Sequence, residues 1–272
     1  MRPEPTQPLT PADTIERSQW DFFWIPADAS LIDRPELLLV RCPRDVAMLN
    51  SVTRTRPVAG SFDALVEEVG QAHQGVTSRW LVRDLPSHGA LSPALVRAGY
   101  VPIHDHGAYW LGLPHAGVSI PSPTVRAERV RDMAGLCDWY SVADAVFGAQ
   151  RPPAQDLERF LEACTRQAAR VHRFVAYRGK RAVSCGALTS FPSLRFAYLW
   201  GGGTLPSDRG RGAYRAVLHA RIEHATRLGL TGVGMYARDE SSAPIVERVG
   251  FVRHGSMTYW DRPVTQTNYI HP

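Results

Sequence analysis

The chain has 272 residues, of which 44% are hydrophobic and 21% charged, and its formal net charge is +5. This is the composition of an ordinary globular protein, and the length suits one large domain or two domains of about 130 residues each. No run of about 18 apolar residues occurs, so no membrane partner is expected. The N-terminus lacks the apolar core of a secretory signal, which favours a cytoplasmic protein.

The basic residues do not form a nucleic-acid-binding tract. Lys180 is the only lysine among 31 basic residues, and the arginines are dispersed along the chain. A solvated, mildly basic surface is therefore favoured over a nucleic-acid partner. The four cysteines include no Cys-x-x-Cys pair, which is typical of buried free thiols in a reducing compartment. His104 and His106 alternate along one predicted strand face, but no third ligand accompanies them, so no metal is expected.

Proline, glycine and polar clusters divide the chain into five segments. Residues 1–14 are proline-rich and predict a disordered tail. Residues 15–111 are predicted to form a first domain and residues 124–261 a second. Between them, residues 112–123 are rich in chain breakers and predict a linker. Residues 262–272 form a predicted C-terminal tail.

The second half has clear helical and strand periodicity. The predicted elements, in order, are a helix over 127–146, a helix behind Pro152 and Pro153, a hairpin of strands 171–177 and 182–190, a strand over 196–204, a helix over 212–228, a strand over 232–237, a helix over 243–249 and a strand region through Trp260. Gly229 is placed to end the helix over 212–228 in the left-handed conformation. The order predicts an α/β fold of the α+β type, with a mixed sheet and helices on its faces.

The first half is similar to the second. Residues 91–100 resemble residues 242–251, and the separation of about 150 residues favours a duplicated domain over a chance likeness of helix-to-strand patterns. One difference concerns the segment 54–61, which lies where the second half has a glycine-rich loop. It contains no Gly-x-Gly, and Pro57 removes a backbone donor. Only the second half is therefore predicted to be competent for chemistry.

That glycine-rich loop spans residues 206–214 and reads Pro-Ser-Asp-Arg-Gly-Arg-Gly-Ala-Tyr, at a predicted strand-to-helix junction. Glycine lets backbone N–H groups approach an anion closely, and a helix N-terminus favours negative charge. Arg209 and Arg211 add positive charges that suit phosphate oxygens. The loop therefore predicts a phosphate cradle.

The segment Arg209-Gly210-Arg211-Gly212-Ala213-Tyr214 resembles the acetyl-coenzyme A motif Arg/Gln-x-x-Gly-x-Gly/Ala of the GNAT acetyltransferase superfamily. The likeness covers residues 124–260 well and the first half weakly. It implies two GNAT-like domains, each a mixed, largely antiparallel sheet flanked by helices, with the first domain degenerate. Tyr214 replaces the usual small residue and is expected to pack beneath the loop.

The resemblance also implies a set of cofactor contacts. The pyrophosphate of acetyl-coenzyme A would lie on the N–H groups of residues 211–214. Its pantetheine arm would pair with the backbone at Thr204 and Leu205, and the Leu205 N–H would stabilise an oxyanion. Ser242 would lie near the cofactor. Gly201 to Gly203 would ease the close approach of the arm, and a strand bulge explains the same glycines nearly as well.

The family's position for an aromatic general acid is held by Val246, which cannot donate a proton. Three alternatives stay open: a solvent proton, Tyr236 as a substitute acid, or coenzyme A binding without efficient catalysis. No general base is identified. Asp239, Glu240 and His219 are candidates by position, and helix capping or solvent exposure explains each of them better.

The leading functional hypothesis is an acetyl-coenzyme A-dependent N-acetyltransferase that acts by direct transfer on a small amine or a peptide N-terminus, as a monomer or homodimer. The alternative is a non-catalytic coenzyme A-binding or sensor protein. A third hypothesis is aminoacyl transfer from charged transfer RNA. The retained coenzyme A loop argues against that third function.

Overall fold

The computed structural model describes residues 8–23, 25–56, 62–115, 124–148 and 151–264. The helices are α1 (Pro11–Ser18), α2 (Phe62–Ala72), α3 (Leu91–Arg97), α4 (Met133–Phe147), α5 (Ala154–Thr165), α6 (Ala213–Arg227) and α7 (Ala243–Val249). The strands are β1 (Ser30–Arg34), β2 (Leu37–Arg41), β3 (Ser51–Thr55), β4 (Ser78–Arg83), β5 (Val101–Gly112), β6 (Arg126–Arg129), β7 (Val171–Arg178), β8 (Arg181–Phe191), β9 (Phe196–Thr204), β10 (Gly232–Arg238) and β11 (Val252–Arg262). None of the described helices is both long and apolar enough to cross a membrane.

The described residues fall into two compact units that do not follow the two halves of the sequence. The C-terminal unit comprises the described parts of Met1–Ser18, Tyr109–Tyr236 and Pro244–Arg253, and the N-terminal unit those of Gln19–Ala108, Ala237–Ala243 and His254–Pro272. Helix α1 therefore belongs to the C-terminal unit, and most of β11 belongs to the N-terminal unit. The assignment of residues 15–111 and 124–261 to two domains stays a prediction.

The N-terminal unit contains a mixed sheet in the order β1-β2-β3-β4-β11. Its neighbouring strands are antiparallel except β3 and β4, which are parallel. Strand β11 comes from the far end of the chain, and its Trp260 lies opposite Trp80 of β4. Helices α2 and α3 contribute Val69 and Leu95 to the core around the fully buried Trp80. A late strand thus completes the sheet of the early segment.

In the C-terminal unit the strand order is β10-β9-β8-β7-β6, and among these strands only β9 and β10 are parallel. Alternate residues of β8 face opposite sides of the sheet, as strand geometry requires. Cys185 and Ala187 pack with α4 and α5, whereas a Cβ on Gly186 would meet Val217 and Arg221 of α6. The helices therefore cover both faces, and the predicted fold class is confirmed.

The predicted N-terminal disorder is wrong for residues 11–14, which belong to α1. Thr10 starts this helix, since its hydroxyl accepts a hydrogen bond from the Asp13 N–H at 3.2 Å. Ile15 is fully buried, and its Cγ1 lies 2.9 Å from where a Cβ on Gly234 of β10 would stand. Burial of this apolar face against the sheet orders a segment whose composition alone predicts disorder.

The start of the second half also differs from expectation. The predicted helix over 127–146 is divided into strand β6 and helix α4, because Asp132 caps α4 by accepting a hydrogen bond from the Gly135 N–H at 2.8 Å. Arg126 to Arg129 instead pair antiparallel with β7. The later predicted elements are present within a few residues of their expected bounds. Of the predicted linker, residues 116–123 lie outside the described part of the chain.

Candidate functional site

The predicted phosphate loop connects β9 to α6 and takes a conformation that requires its glycines. Gly210 has φ 71° and Gly212 has φ 84°, both in the left-handed region that residues with a Cβ adopt at a cost. Gly212 is the N-cap of α6 and provides no side-chain hydrogen bond. Gly212 therefore gives the first N–H groups of the helix no side-chain acceptor, and no acidic residue stands in the first turn. This arrangement fits an anion.

The residues around this helix start have distinct environments. Arg209 and Arg211 are exposed, and Ala213 is buried. The Arg209 Nε lies 3.5 Å from the Thr204 carbonyl oxygen. The Tyr214 ring lies against β9, with its Cε2 atom 3.0 Å from where a Cβ on Gly202 would stand. Tyr214 thus packs against β9, and its expected place beneath the loop stays a prediction.

Asp208 fastens this loop to the turn between β7 and β8, a contact that sequence reasoning missed. Its side chain is fully buried and accepts hydrogen bonds of 2.7 Å from both Arg178 and Arg181. Burial alone would raise the pKa of this carboxyl, but hydrogen bonds from Ser207 and Arg181 and the two guanidinium charges outweigh it and lower the pKa. The carboxylate therefore stays charged and holds the loop in place.

Strands β9 and β10 separate on the way to the loop. Among their described residues, only Phe196 to Tyr198 pair with Gly232 to Gly234. From Leu199 onward β9 has no partner in β10, so a gap opens between the two strands. Thr204 lies at the far end of this gap, where its hydroxyl donates to the Ser184 oxygen at 2.9 Å.

The Leu205 N–H, which was expected to stabilise an oxyanion, is already engaged in a hydrogen bond. Its N–H donates to the Val183 carbonyl oxygen at 2.9 Å. An oxyanion could use this donor only if the hydrogen bond to β8 were broken. We therefore drop this role for Leu205. The hydrogen bond was not predicted, because pairing with a neighbouring strand is not visible in the local sequence.

Tyr236 lies where β10 has left β9, two residues beyond the last paired residue. Its ring centroid is 6.3 Å from that of Tyr198 on β9, at an interplanar angle of 63°. Both side chains lie on the same sheet face, because Tyr198 pairs with Gly234 and side chains alternate along a strand. Tyr198 was not anticipated as a neighbour of the site. The proton-donor role of Tyr236 stays a prediction.

The position that would carry an aromatic general acid is apolar in the structure as well. Val246 lies on α7 and is fully buried. His219, a candidate base, has its Nδ1 3.8 Å from Glu223 Oε1 on the same helix. Asp239, Glu240 and Ser242 belong to the N-terminal unit, where their roles toward a cofactor or acceptor stay predictions.

The His104 and His106 pair lies in the N-terminal unit and shares a strand face, with ring centroids 6.1 Å apart. Burial lowers the pKa of His106 to about 4, so this imidazole is neutral near pH 7. Within the described ranges, no group of three or more His, Cys, Asp or Glu side chains comes close enough to hold a metal ion. The expectation that the pair serves as a polar strand face and not as a metal site stays a prediction.

Comparison with known proteins gives matches of structure only. No protein-family model and no curated protein matches the sequence. Among solved structures, a GCN5-related N-acetyltransferase from Kribbella flavida matches with TM-score 0.64 and 14% identity over 88% of this chain and 91% of that one. A GCN5-related N-acetyltransferase from Sphaerobacter thermophilus matches with TM-score 0.60 and 16% identity over 94% of both chains.

A third solved structure is a tandem GNAT protein from the clavulanic acid biosynthesis pathway. It matches with TM-score 0.58 and 12% identity, over 93% of this chain and 89% of that one. At such identities the likeness concerns the fold. It extends over nearly the whole length of each chain, so both compact units take part in it.

Proposed function

We propose that this chain, whose fold is that of the GNAT acetyltransferases, transfers an acyl group from acyl-coenzyme A to an amine. Acetyl-coenzyme A is the proposed donor, and a small amine or a peptide N-terminus the proposed acceptor. The observation that carries the proposal is the start of α6, where two left-handed glycines precede a helix with neither a side-chain cap nor an acidic first turn. Such a helix N-terminus favours phosphate.

The chain's own residues fit the parts of coenzyme A in order. The N–H groups of residues 211–214 would bind the pyrophosphate, and the exposed Arg209 and Arg211 would complement its charge. The pantetheine arm would follow β9 from Thr204 through the gap beside β10. When bound, the coenzyme supplies the acyl group as a thioester.

Proton handling during direct transfer would then rest on a few groups. The amine must lose a proton before it attacks. The coenzyme A thiolate then either gains a proton as it departs or leaves as the free thiolate. Tyr236 is the proposed donor, because its hydroxyl-bearing side chain lies on the part of β10 that borders the gap. The buried Val246 cannot act in this way.

A second candidate function is coenzyme A binding without turnover. One observation favours it. Val246, at the position where the GNAT family has its proton donor, is aliphatic and fully buried. The anion-binding geometry of α6 supports both functions equally.

Binding and turnover assays test the two functions. Acetyl-coenzyme A should raise the melting temperature of the protein, and thiol release should appear with some member of an amine library. Gly212→Asp, which places a negative charge at the helix start, should weaken both signals. No thermal shift with the unaltered protein would exclude both functions, whereas a shift without thiol release across a broad library would favour the sensor.

A further inference from the structure

Strand β9 contains a bulge at its glycine run. Gly203 lies opposite Cys185 and Trp200 opposite Ala187, so two steps on β8 face three steps on β9. Gly201 has φ 58°, the left-handed conformation that a bulge of this kind needs. The extra residue interrupts the ladder, so backbone carbonyls around it require other partners.

Side chains supply those partners. On one face of the sheet, Trp139 donates its Nε1–H to the Gly186 carbonyl at 3.1 Å. On the other face, Arg221 of α6 donates from Nη1 to the carbonyls of Ala187 at 3.2 Å and Trp200 at 3.4 Å. One guanidinium therefore bridges both strands across the bulge.

Arg221 is an unusual residue for this place. It is only 1% exposed, and its hydrogen-bond acceptors are carbonyls, including that of Val217 on its own helix at 3.3 Å. Among the described residues, Nη2 finds no acceptor in hydrogen-bonding geometry. Burial lowers the pKa of Arg221, and the adjacent Tyr214 hydroxyl opposes that effect. A buried charge without a carboxylate is destabilising compared with an apolar side chain of similar size.

Two glycines make the room for this pair. A Cβ on Gly186 would lie 3.0 Å from Arg221 Cζ, and a Cβ on Gly202 would lie 3.0 Å from the Tyr214 ring and 3.2 Å from Arg221 Nη2. The strands therefore carry no side chain where Arg221 and Tyr214 press against them. Helix α6, which begins at the phosphate loop, is thereby joined directly to the bulge.

The bulge lies between the last residue of β9 that pairs with β10, Tyr198, and the phosphate loop. The four steps along the chain from Gly201 to Leu205 span at most about 13 Å, which is comparable with an extended pantetheine arm. An arm that follows β9 from the loop would bring its acyl end to the bulge.

We propose that Arg221 and Tyr214 form a staple that holds the bulge at residues 200–203 in the shape that receives the acyl carbonyl. Arg221 is a positioning residue in this role, because it acts through the strand backbone. The inference rests on the proposed coenzyme A function. It assigns a purpose to a buried charge that stability alone does not explain.

Three variants test the staple. Arg221→Met removes the guanidinium and keeps an unbranched apolar chain. Tyr214→Phe removes only the hydroxyl, while its ring still covers Gly202. Ile222→Val is the matched control, since Ile222 is buried on the same helix, is 3% exposed, and has no polar side-chain atom that could bond the carbonyls of the bulge. Its cost to folding is about 1 kcal/mol.

The readout is the carbonyl stretch of bound acetyl-coenzyme A labelled with carbon-13 at the carbonyl, measured by difference infrared spectroscopy. In the unaltered protein and in Ile222→Val the stretch should fall below its value in solution, because the residue that the bulge leaves out of the ladder would offer its backbone N–H to the carbonyl. In Arg221→Met it should return toward the solution value. Affinity for free coenzyme A, measured by calorimetry, should change less than about threefold, because the phosphate loop is intact.

The outcomes separate this inference from the proposed function. Absence of coenzyme A binding by the unaltered protein would overturn the proposed function. Binding with no carbonyl shift in the unaltered protein, or with the same shift in Arg221→Met, would overturn the staple alone. If Arg221→Met does not fold, Tyr214→Phe decides, since its carbonyl stretch should move part of the way and an unchanged stretch would contradict the inference.

Discussion

Gly212 is a position where one added charge should have opposite effects on folding and on ligand binding. It is the N-cap of the 15-residue helix α6 and has φ 84°. Gly212→Asp places a carboxylate at the positive end of the helix dipole, where a bound phosphate would also lie. Gly212→Asn is the matched control, because its side chain has the same shape and Asn and Asp both tolerate the left-handed conformation.

The expected magnitudes follow from this geometry. The strain of a left-handed non-glycine residue is common to both variants and cancels in their difference. Without ligand, the free energy of unfolding of Gly212→Asp should exceed that of Gly212→Asn by about 0.3–1 kcal/mol. The reason is that the Asp carboxylate lies at the positive end of the helix dipole. With ligand, two negative charges about 4 Å apart repel by about 1 kcal/mol in water and about 4 kcal/mol near a protein surface. Coenzyme A should therefore bind the Asp variant about 5- to 1000-fold more weakly than the Asn variant.

Urea unfolding without ligand and calorimetric titration with coenzyme A measure the two quantities. The difference in affinity should shrink at high ionic strength, because the charges are partly exposed to solvent. Equal affinities of two folded variants would refute the placement of phosphate at the start of α6. A less stable Asp variant without ligand would refute the dipole argument separately.

Three further predictions concern other parts of the molecule. Burial is the main cause that lowers the pKa of His172 to about 4 and that of His224 to about 3. The unfolded chain then binds protons first, so the free energy of unfolding should fall as the pH drops from about 6.5 toward 4, by up to about 3 kcal/mol per histidine; urea midpoints that are equal at neutral and acid pH would contradict this. Gly203→Ala should cost about 1–3 kcal/mol, because its Cβ would stand 2.7 Å from side chains of α4, whereas Gly112→Ala meets nothing within 4 Å and should leave the denaturation midpoint unchanged. Tyr236→Phe should keep the affinity for acetyl-coenzyme A and slow thiol release by about 100-fold or more, and an unchanged rate would remove Tyr236 as the proton donor.

The predicted elements that match best are those with strong local signals. The α6 helix has apolar residues at helical spacing and a glycine, Gly229, that ends it in the left-handed conformation. Strand β6 was missed because its four residues, Arg126 to Arg129, include three charged side chains and show no apolar alternation. It is a polar edge strand, which only its pairing with β7 defines.

The sequence predicted the candidate binding loop better than its surroundings. The left-handed conformations of Gly210 and Gly212 depend on local residue chemistry, and the loop's place between a strand and a helix follows from periodicity. The clamp on Asp208 could not be predicted, because Arg178 and Arg181 approach it from a hairpin that precedes it by about 30 residues. Charged residues in a turn usually indicate solvent exposure.

Arg221 shows most clearly which features the sequence determined and which the tertiary structure decided. The sequence by itself determined that α6 has a buried face, with Tyr214, Val217 and Ala225 at helical spacing, and Arg221 lies at the same spacing. Periodicity cannot say that a guanidinium is tolerated there. That was decided by the tertiary structure, which brings two glycines and the carbonyls of a strand bulge from distant segments to the same point. Backbone conformation depends largely on neighbours in sequence, whereas the hydrogen bonds of a buried charge depend on neighbours in space.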